Sequence, residues 1–225
     1  MKKILLYALL ICSVAFYAHS MNTAILDGAG EGISYEYTQD FEGSGLPTNW
    51  TSDAGAPDYD LSTSGLDMEG SLCLQLDPTE ESSFTFTPGS ADTYVLLKIR
   101  QEDGIDNAEL VISFADSDTY PLVQVWFAGG GGTQGMYCRV NDVNSDTTTE
   151  TIAVDTARYI LIHYNQTTAV GGLRVSDGAG NWGTEVTHTG VLESAIATIL
   201  IRNSANAELM TFDDIRISSS PIAHP

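Results

Sequence analysis

Basic residues are scarce: nine Lys and Arg stand against 30 Asp and Glu, a net charge of −21 at pH 7 over 225 residues. A surface this acidic repels phosphate backbones and anionic lipid, so the sequence excludes nucleic acid as a partner. Cysteine is almost as thin, with three residues and neither a CxxC pair nor a Cys/His cluster, which leaves a metal-thiolate site unsupported. Beyond the first twenty residues no apolar run approaches the ~20 residues of a membrane helix, and no membrane insertion is expected. Long amphipathic helical patterns are missing too. The apolar runs are short, evenly spaced and separated by Gly, Ser, Thr and Asp, the signature of an all-β chain.

At the start of the chain, Lys2 and Lys3 precede an apolar stretch from Ile4 to Ala18 that closes on Ala18-His19-Ser20, which reads as a secretory signal peptide (1–20) cut after Ser20. Cys12 does not suit a lipoprotein, because bulky Ile11 precedes it and the apolar run continues past it. The expected product is exported and soluble, extracellular or periplasmic. It has a Gly-rich leader (21–33), one domain (34–220) and a tail (221–225). Cys73 and Cys138 remain, and an oxidising compartment permits one disulfide. Alternation argues against it: Leu72, Leu74 and Leu76 share a face that Cys73 opposes, whereas Cys138 sides with Met136 and Val140.

Strands are expected at 34–41, 71–77, 82–87, 93–100, 108–115, 121–128, 135–141, 150–154, 158–164, 171–176, 184–191, 196–202 and 209–218, with turn chemistry between them. About a dozen strands without a convincing helix imply a two-sheet antiparallel sandwich or barrel. Period-2 alternation assigns Leu72, Leu74, Val95, Leu97, Ile99, Val123, Val125, Ile215 and Ile217 to the core. The longest irregular stretch runs from Glu42 to Gly70, either a binding loop or a cover over one end of the sandwich.

One pair of strands carries a candidate site. In Val123-Gln124-Val125-Trp126-Phe127 the valines and Phe127 oppose Gln124 and Trp126; in Met136–Val140, Tyr137 and Arg139 oppose Met136, Cys138 and Val140. If the strands are neighbours, Gln124, Trp126, Tyr137 and Arg139 make one patch of ring faces flanked by hydrogen-bonding groups. Such a patch suits a sugar, whose C–H faces stack on rings while its hydroxyls need partners. The alternative puts Trp126 and Tyr137 in the core with the valines outside; Arg139, which would then need a buried carboxylate, argues against it. Trp50, Tyr59 and Trp182 are reserve platforms.

Three segments together resemble the concanavalin A-like lectin/glucanase superfamily, in particular its laminin G-like secreted bacterial domains. They are Asp40-Phe41-Glu42-Gly43 with Leu46-Pro47-Thr48-Asn49-Trp50 and Gly70-Ser71-Leu72-Cys73-Leu74; Tyr159–Tyr164 leading to Gly172-Leu173-Arg174-Val175; and Phe212-Asp213-Asp214-Ile215-Arg216-Ile217-Ser218. Galactose-binding-like jelly rolls share the opening "F-E-G…W" and closing "D-D-I", but need fewer strands. The resemblance implies a concanavalin A-like jelly-roll sandwich with its opening and closing strands side by side.

Hydrolases on that scaffold set carboxylates at alternating positions of one strand, one as nucleophile and one as acid or base. No Glu-x-Asp-x-Glu run occurs here, His163, His188 and His224 lack metal-ligand spacing, and there is no Gly-x-Ser-x-Gly elbow. A non-catalytic domain is expected, with a polysaccharide hydrolase or lyase as the less favoured alternative. Calcium suits an exported, carboxylate-rich chain better. Asp213 would share the core side with Ile215 and Ile217 and so need a partner or a metal, with Asp214 as the alternate ligand. The resemblance implies Glu42 as companion. Asp142-x-Asn144-x-Asp146 starts like a calcium loop but has Thr147 in place of Gly and Ala153 in place of Glu. The expectation is an exported carbohydrate-binding or adhesion domain with one structural Ca2+. Its partner would be a glycan or cell-surface polysaccharide, or alternatively another surface protein.

Overall fold

The computed structural model describes residues 35–42, 50–54, 68, 70, 72–77, 80–101, 109–115, 121–129, 132–141, 143–190, 196–203 and 209–225. The expected signal peptide and leader, Tyr59 and Asp142 lie outside them. Sixteen strands follow in chain order: β1 (Tyr37–Gln39), β2 (Trp50–Ala54), β3 (Leu74–Leu76), β4 (Glu81–Thr85), β5 (Asp92–Gln101), β6 (Glu109–Ala115), β7 (Pro121–Phe127), β8 (Thr133–Gln134), β9 (Met136–Val140), β10 (Val143–Asn144), β11 (Ile152–Ala153), β12 (Arg158–Asn165), β13 (Val170–Val175), β14 (Val186–Thr189), β15 (Thr198–Arg202) and β16 (Met210–Ser218).

Two seven-stranded antiparallel sheets result. The first runs β1-β16-β5-β12-β13-β14, with β3 also paired to β16; the second runs β10-β9-β7-β6-β15-β4-β2. A two-stranded ribbon, β8 with β11, stands apart. The opening and closing strands pair as expected, Tyr37 opposite Ile217 and Gln39 opposite Ile215. The chain is an all-β, two-sheet antiparallel sandwich of jelly-roll type.

Alternation explains the packing between the sheets. Val95, Leu97 and Ile99 of β5 and Ile160 and Ile162 of β12 meet Val123, Val125 and Phe127 of β7 and Met136, Cys138 and Val140 of β9 in one continuous core. Each fully buried Leu, Ile, Val or Phe contributes about 1.5–3 kcal/mol relative to exposure, so this contiguous set dominates the fold's stability. The outward face of the first sheet carries its own smaller apolar cluster, Leu96, Leu161 and Ile222, with Tyr35, Tyr94, Tyr159 and Trp182 packed on it. Ile222 belongs to the segment read as a tail, and it is buried there.

Three local readings of the sequence are corrected. The stretch from Glu42 to Gly70 contains β2, paired to β4 with Trp50 opposite Phe84. Trp50 is therefore a core residue, 6% exposed, stacked on Phe84 and donating its indole N–H to Tyr37 Oη at 2.6 Å, not a sugar platform. Next, β3 begins only at Leu74, so the alternation does not extend back through 72 and 73: Leu72 is half-buried and Cys73 is buried. Finally, β16 bulges. Its pairing with β5 slips between Asp213 and Arg216, and Asp214 takes φ +46°. The extra residue resets the alternation, so that Phe212, opposite Ile99, and Ile217, opposite Val95, both enter the core, and Asp213 stands opposite Lys98 instead.

Both cysteines are free and buried. Cys138 Sγ lies 3.8 Å from Gly171 O, in the core between the sheets.

Candidate functional site

On the second sheet, β7 and β9 are neighbours, with Trp126 opposite Tyr137 and Gln124 opposite Arg139. Because Val123, Val125, Phe127, Met136, Cys138 and Val140 fill the core, the four intervening side chains share the outward face, each half-buried. The valines point inward, which discards the alternative orientation. The structure thus brings together all four residues singled out from the sequence.

The patch is one end of a longer row that sequence reasoning missed. Asn144 stands opposite Arg139, Gln124 opposite Ser113, Ser113 opposite Leu200, Leu200 opposite Ser83 and Ser83 opposite Thr51, so one register line crosses all seven strands. Six spacings of about 4.8 Å make it roughly 29 Å long. Five of its seven members carry a hydroxyl or side-chain amide, and Thr51 Oγ1 and Ser83 Oγ lie 2.6 Å apart at the far end. Single-strand alternation reveals which residues point outward, but only the pairing order places these in line.

Trp126 gives the patch an open valence. Its indole Nε1 is shielded from solvent, yet meets no acceptor among the described residues. It is one of ten such atoms among the described residues, and a ligand oxygen would satisfy it only where the ring turns to present its N–H. Burial pushes the Tyr137 hydroxyl pKa up, partly offset by the Arg139 charge beside it, so the phenol keeps its proton as a hydrogen-bond donor.

The three expected calcium ligands have separate engagements. Asp214 accepts Arg216 Nε at 2.7 Å and Nη2 at 2.9 Å, and also the Tyr159 hydroxyl at 3.0 Å, so both of its oxygens are committed. Burial lowers the Arg216 pKa, but the Asp214 hydrogen bonds and charge outweigh that and hold it above its ordinary value. Asp213, 0% exposed, accepts the Asp214 N–H at 2.7 Å; Glu42 accepts the Leu72 N–H at 2.9 Å. The charges of Asp213 and Glu42 both add to the rise of the Cys73 thiol pKa, after burial. Gly70, at φ +59°, presses so close to Glu42 that a Cβ would fall 2.1 Å from Oε1. Of the three, Glu42 beside its tight glycine turn and the buried Asp213 have the chemistry of oxygen ligands, whereas Asp214 with its guanidinium does not. No group of three or more His, Cys, Asp or Glu converges among the described residues.

On the first sheet, His163 Nε2 lies 2.9 Å from Asp92 Oδ1, which also accepts Asn165 Nδ2 at 2.7 Å, and Tyr94 stacks on the imidazole.

No protein-family model matches the chain, and no curated protein matches it. Solved structures do. Cip1, a cellulose induced protein, superposes with a TM-score of 0.59 at 16% identity, over 84% of this chain and 99% of its own. A botulinum neurotoxin DC binding domain in complex with SialylT gives 0.52 at 8% identity, over 78% of this chain and 43% of that one. An engineered GH43 glycoside hydrolase with endo-xylanase and exo-arabinofuranosidase activity gives 0.56 at 10%, over 86% of this chain and 42% of that one. At these identities the likeness is one of fold: a β-sandwich shared by binding domains and hydrolases.

Proposed function

We propose that this chain is an exported, non-catalytic carbohydrate-binding domain of the concanavalin A-like superfamily, and that it holds a glycan along the outward face of its second sheet. The observation that carries the reading is the Trp126/Tyr137 pair, two rings turned outward beside Gln124 and Arg139 on neighbouring strands. A sugar ring stacks on the aromatic faces, and in the row toward Thr51, where Ser113 is buried, Asn144, Gln124 and the Ser83–Thr51 pair supply polar groups to further residues of a chain. The named activities of its structural neighbours, a sialyl ligand for one and xylan for another, support a glycan in general without selecting one.

The deciding experiment is affinity electrophoresis or pull-down on a panel of insoluble and soluble polysaccharides with wild type, Trp126→Ala and Tyr137→Ala. Retention by wild type and its loss in both variants is expected. Retention unaffected by either change would overturn the site, while reducing-sugar release from the same panel would overturn the non-catalytic reading.

As part of the same proposal, one structural Ca2+ joins the opening and closing segments through Glu42 and Asp213. Asp214 is left to Arg216.

A further inference from the structure

We infer that the first sheet carries a second, separate site, a small pocket where Arg158, Lys98 and His224 converge to hold an oxyanion such as the carboxylate or sulfate of an acidic saccharide. The cavity is about 190 Å³, lined by Lys98, Arg158, Tyr159, Ser176 and His224 with Gly178 and Gly180 at its rim. That is smaller than the ~300–1,000 Å³ of pockets that engulf whole drug-sized ligands, so it fits a charged substituent or a single sugar unit.

The charge pattern makes the pocket unusual in this chain. With 30 acidic residues against nine basic ones, a basic side chain ordinarily finds a carboxylate, as Arg100 does at Asp155, Arg174 at Glu185 and Arg216 at Asp214. Arg158 does not. Its Nη1 donates to Ala157 O at 2.9 Å, and no described carboxylate pairs with it. A guanidinium offers five donors in a planar fork matched to a carboxylate or sulfate, and one backbone carbonyl leaves most of them unspent.

The walls are built to keep that fork in place. Asp177 accepts the N–H groups of Ala179 and Asn181 and the Asn181 side-chain amide, pinning the 176–182 loop, which Ser176 and Trp182 close by a bridge. Gly178, at φ +77°, lies against the guanidinium, and a Cβ there would stand 2.8 Å from Arg158 Cζ. Gly180, at φ +92°, has nothing within 4 Å of where its Cβ would be, which leaves the mouth open. Lys98 holds its Nζ 5.3 Å from the Tyr159 ring centre, and His224 is fixed against Tyr159 and Trp182. Of the acidic groups nearby, Asp177 is held in its loop with its charge reaching His224, Asp213 stands opposite Lys98 in the strand register, and Asp214 is bound by Arg216, so Arg158 is the cation the site depends on.

The test titrates the whole protein, at constant ionic strength, with sodium glucuronate, sodium sulfate and, as a neutral control, glucose, reading the Trp182 and His224 ring signals by NMR. Saturable shifts with glucuronate or sulfate and none with glucose are expected, and the tighter of the two anions identifies the source of the charge. Arg158→Ala should weaken binding at least about tenfold, the scale of losing a charge-assisted fork. His224→Ala, near the chain end, should weaken it less and covers the case in which Arg158→Ala does not fold. Absence of saturation with both anions, or equal affinity in the variants and wild type, overturns the site. Trp126→Ala should leave these titrations unchanged, so failure of the glycan face on the other sheet and failure of this pocket are separable.

Discussion

Trp126 stands directly opposite Tyr137 on the outward face of the second sheet, while the residues beside them, Phe127 and Met136, form the next opposed pair and are fully buried in the core. One step along each strand therefore exchanges a binding role for a packing role.

That contrast can be measured. Phe127→Ala empties a fully enclosed site and should cost about 3–5 kcal/mol of stability by urea denaturation. Trp126→Ala removes a half-buried ring that already leaves its N–H without a partner, and should cost about 1 kcal/mol or less while abolishing glycan retention. Equal destabilisation by the two would assign Trp126 to packing.

Thiol chemistry should follow burial. Burial first, with the Asp213 charge next, pushes the Cys73 thiol up to about 12, and burial raises Cys138 as well. Neither thiol forms thiolate near neutral pH, so a thiol reagent should leave native protein unmodified and label both after guanidine unfolding without reductant. Labelling only after reduction would mean a disulfide.

Acid should weaken one contact on the first sheet. The hydrogen bond from His163 holds the Asp92 carboxyl below its ordinary range, against a smaller opposing effect of burial. A carboxyl whose folded pKa is depressed stabilises the fold above its unfolded value, about 3.9, and that contribution disappears as pH falls through the lower folded value. The melting-temperature gap between wild type and Asp92→Asn should be present at pH 5–6 and close below about pH 3. A gap independent of pH would show that the carboxylate charge plays no part.

Calcium should act through the folded state alone. Protein loaded with Ca2+ should melt several degrees above chelator-treated protein, since a ligand bound only by the native form stabilises it by mass action. Glu42→Gln should shrink that difference, whereas Asp214→Asn should lower the melting temperature of both forms alike. Identical melting with and without chelator, and no bound metal by elemental analysis, would end the proposal.

Alternation made most of this architecture legible. Val123, Val125 and Phe127 against Gln124 and Trp126 is a period-2 pattern with one solution once a core must be filled, and the four-residue patch followed from it. What stayed hidden is what periodicity does not encode. Trp50 sits among Gly and Pro, where its strand has no alternating neighbours to announce it, and only pairing with β4 makes it core. Asp214 breaks the period by one residue, and nothing in Phe212-Asp213-Asp214-Ile215 distinguishes a bulge from a continuous strand. The row from Asn144 to Thr51 and the pocket at Arg158 join residues far apart in the chain, so each depends on strand order that no local window contains.

The place of β16 also dictates when this molecule can exist. Lying between β1 and β5, it supplies the strand beside the edge of the first sheet from residues 210–218, after the other fifteen strands have been made. Until it arrives, β5 has a bare edge and β1 and β3 have no partner at all, so the nascent chain holds a seam that its own earlier strands cannot close. The first sheet closes only once residues 210–218 are present, and a truncation before Met210 should yield an aggregation-prone species instead of a smaller domain.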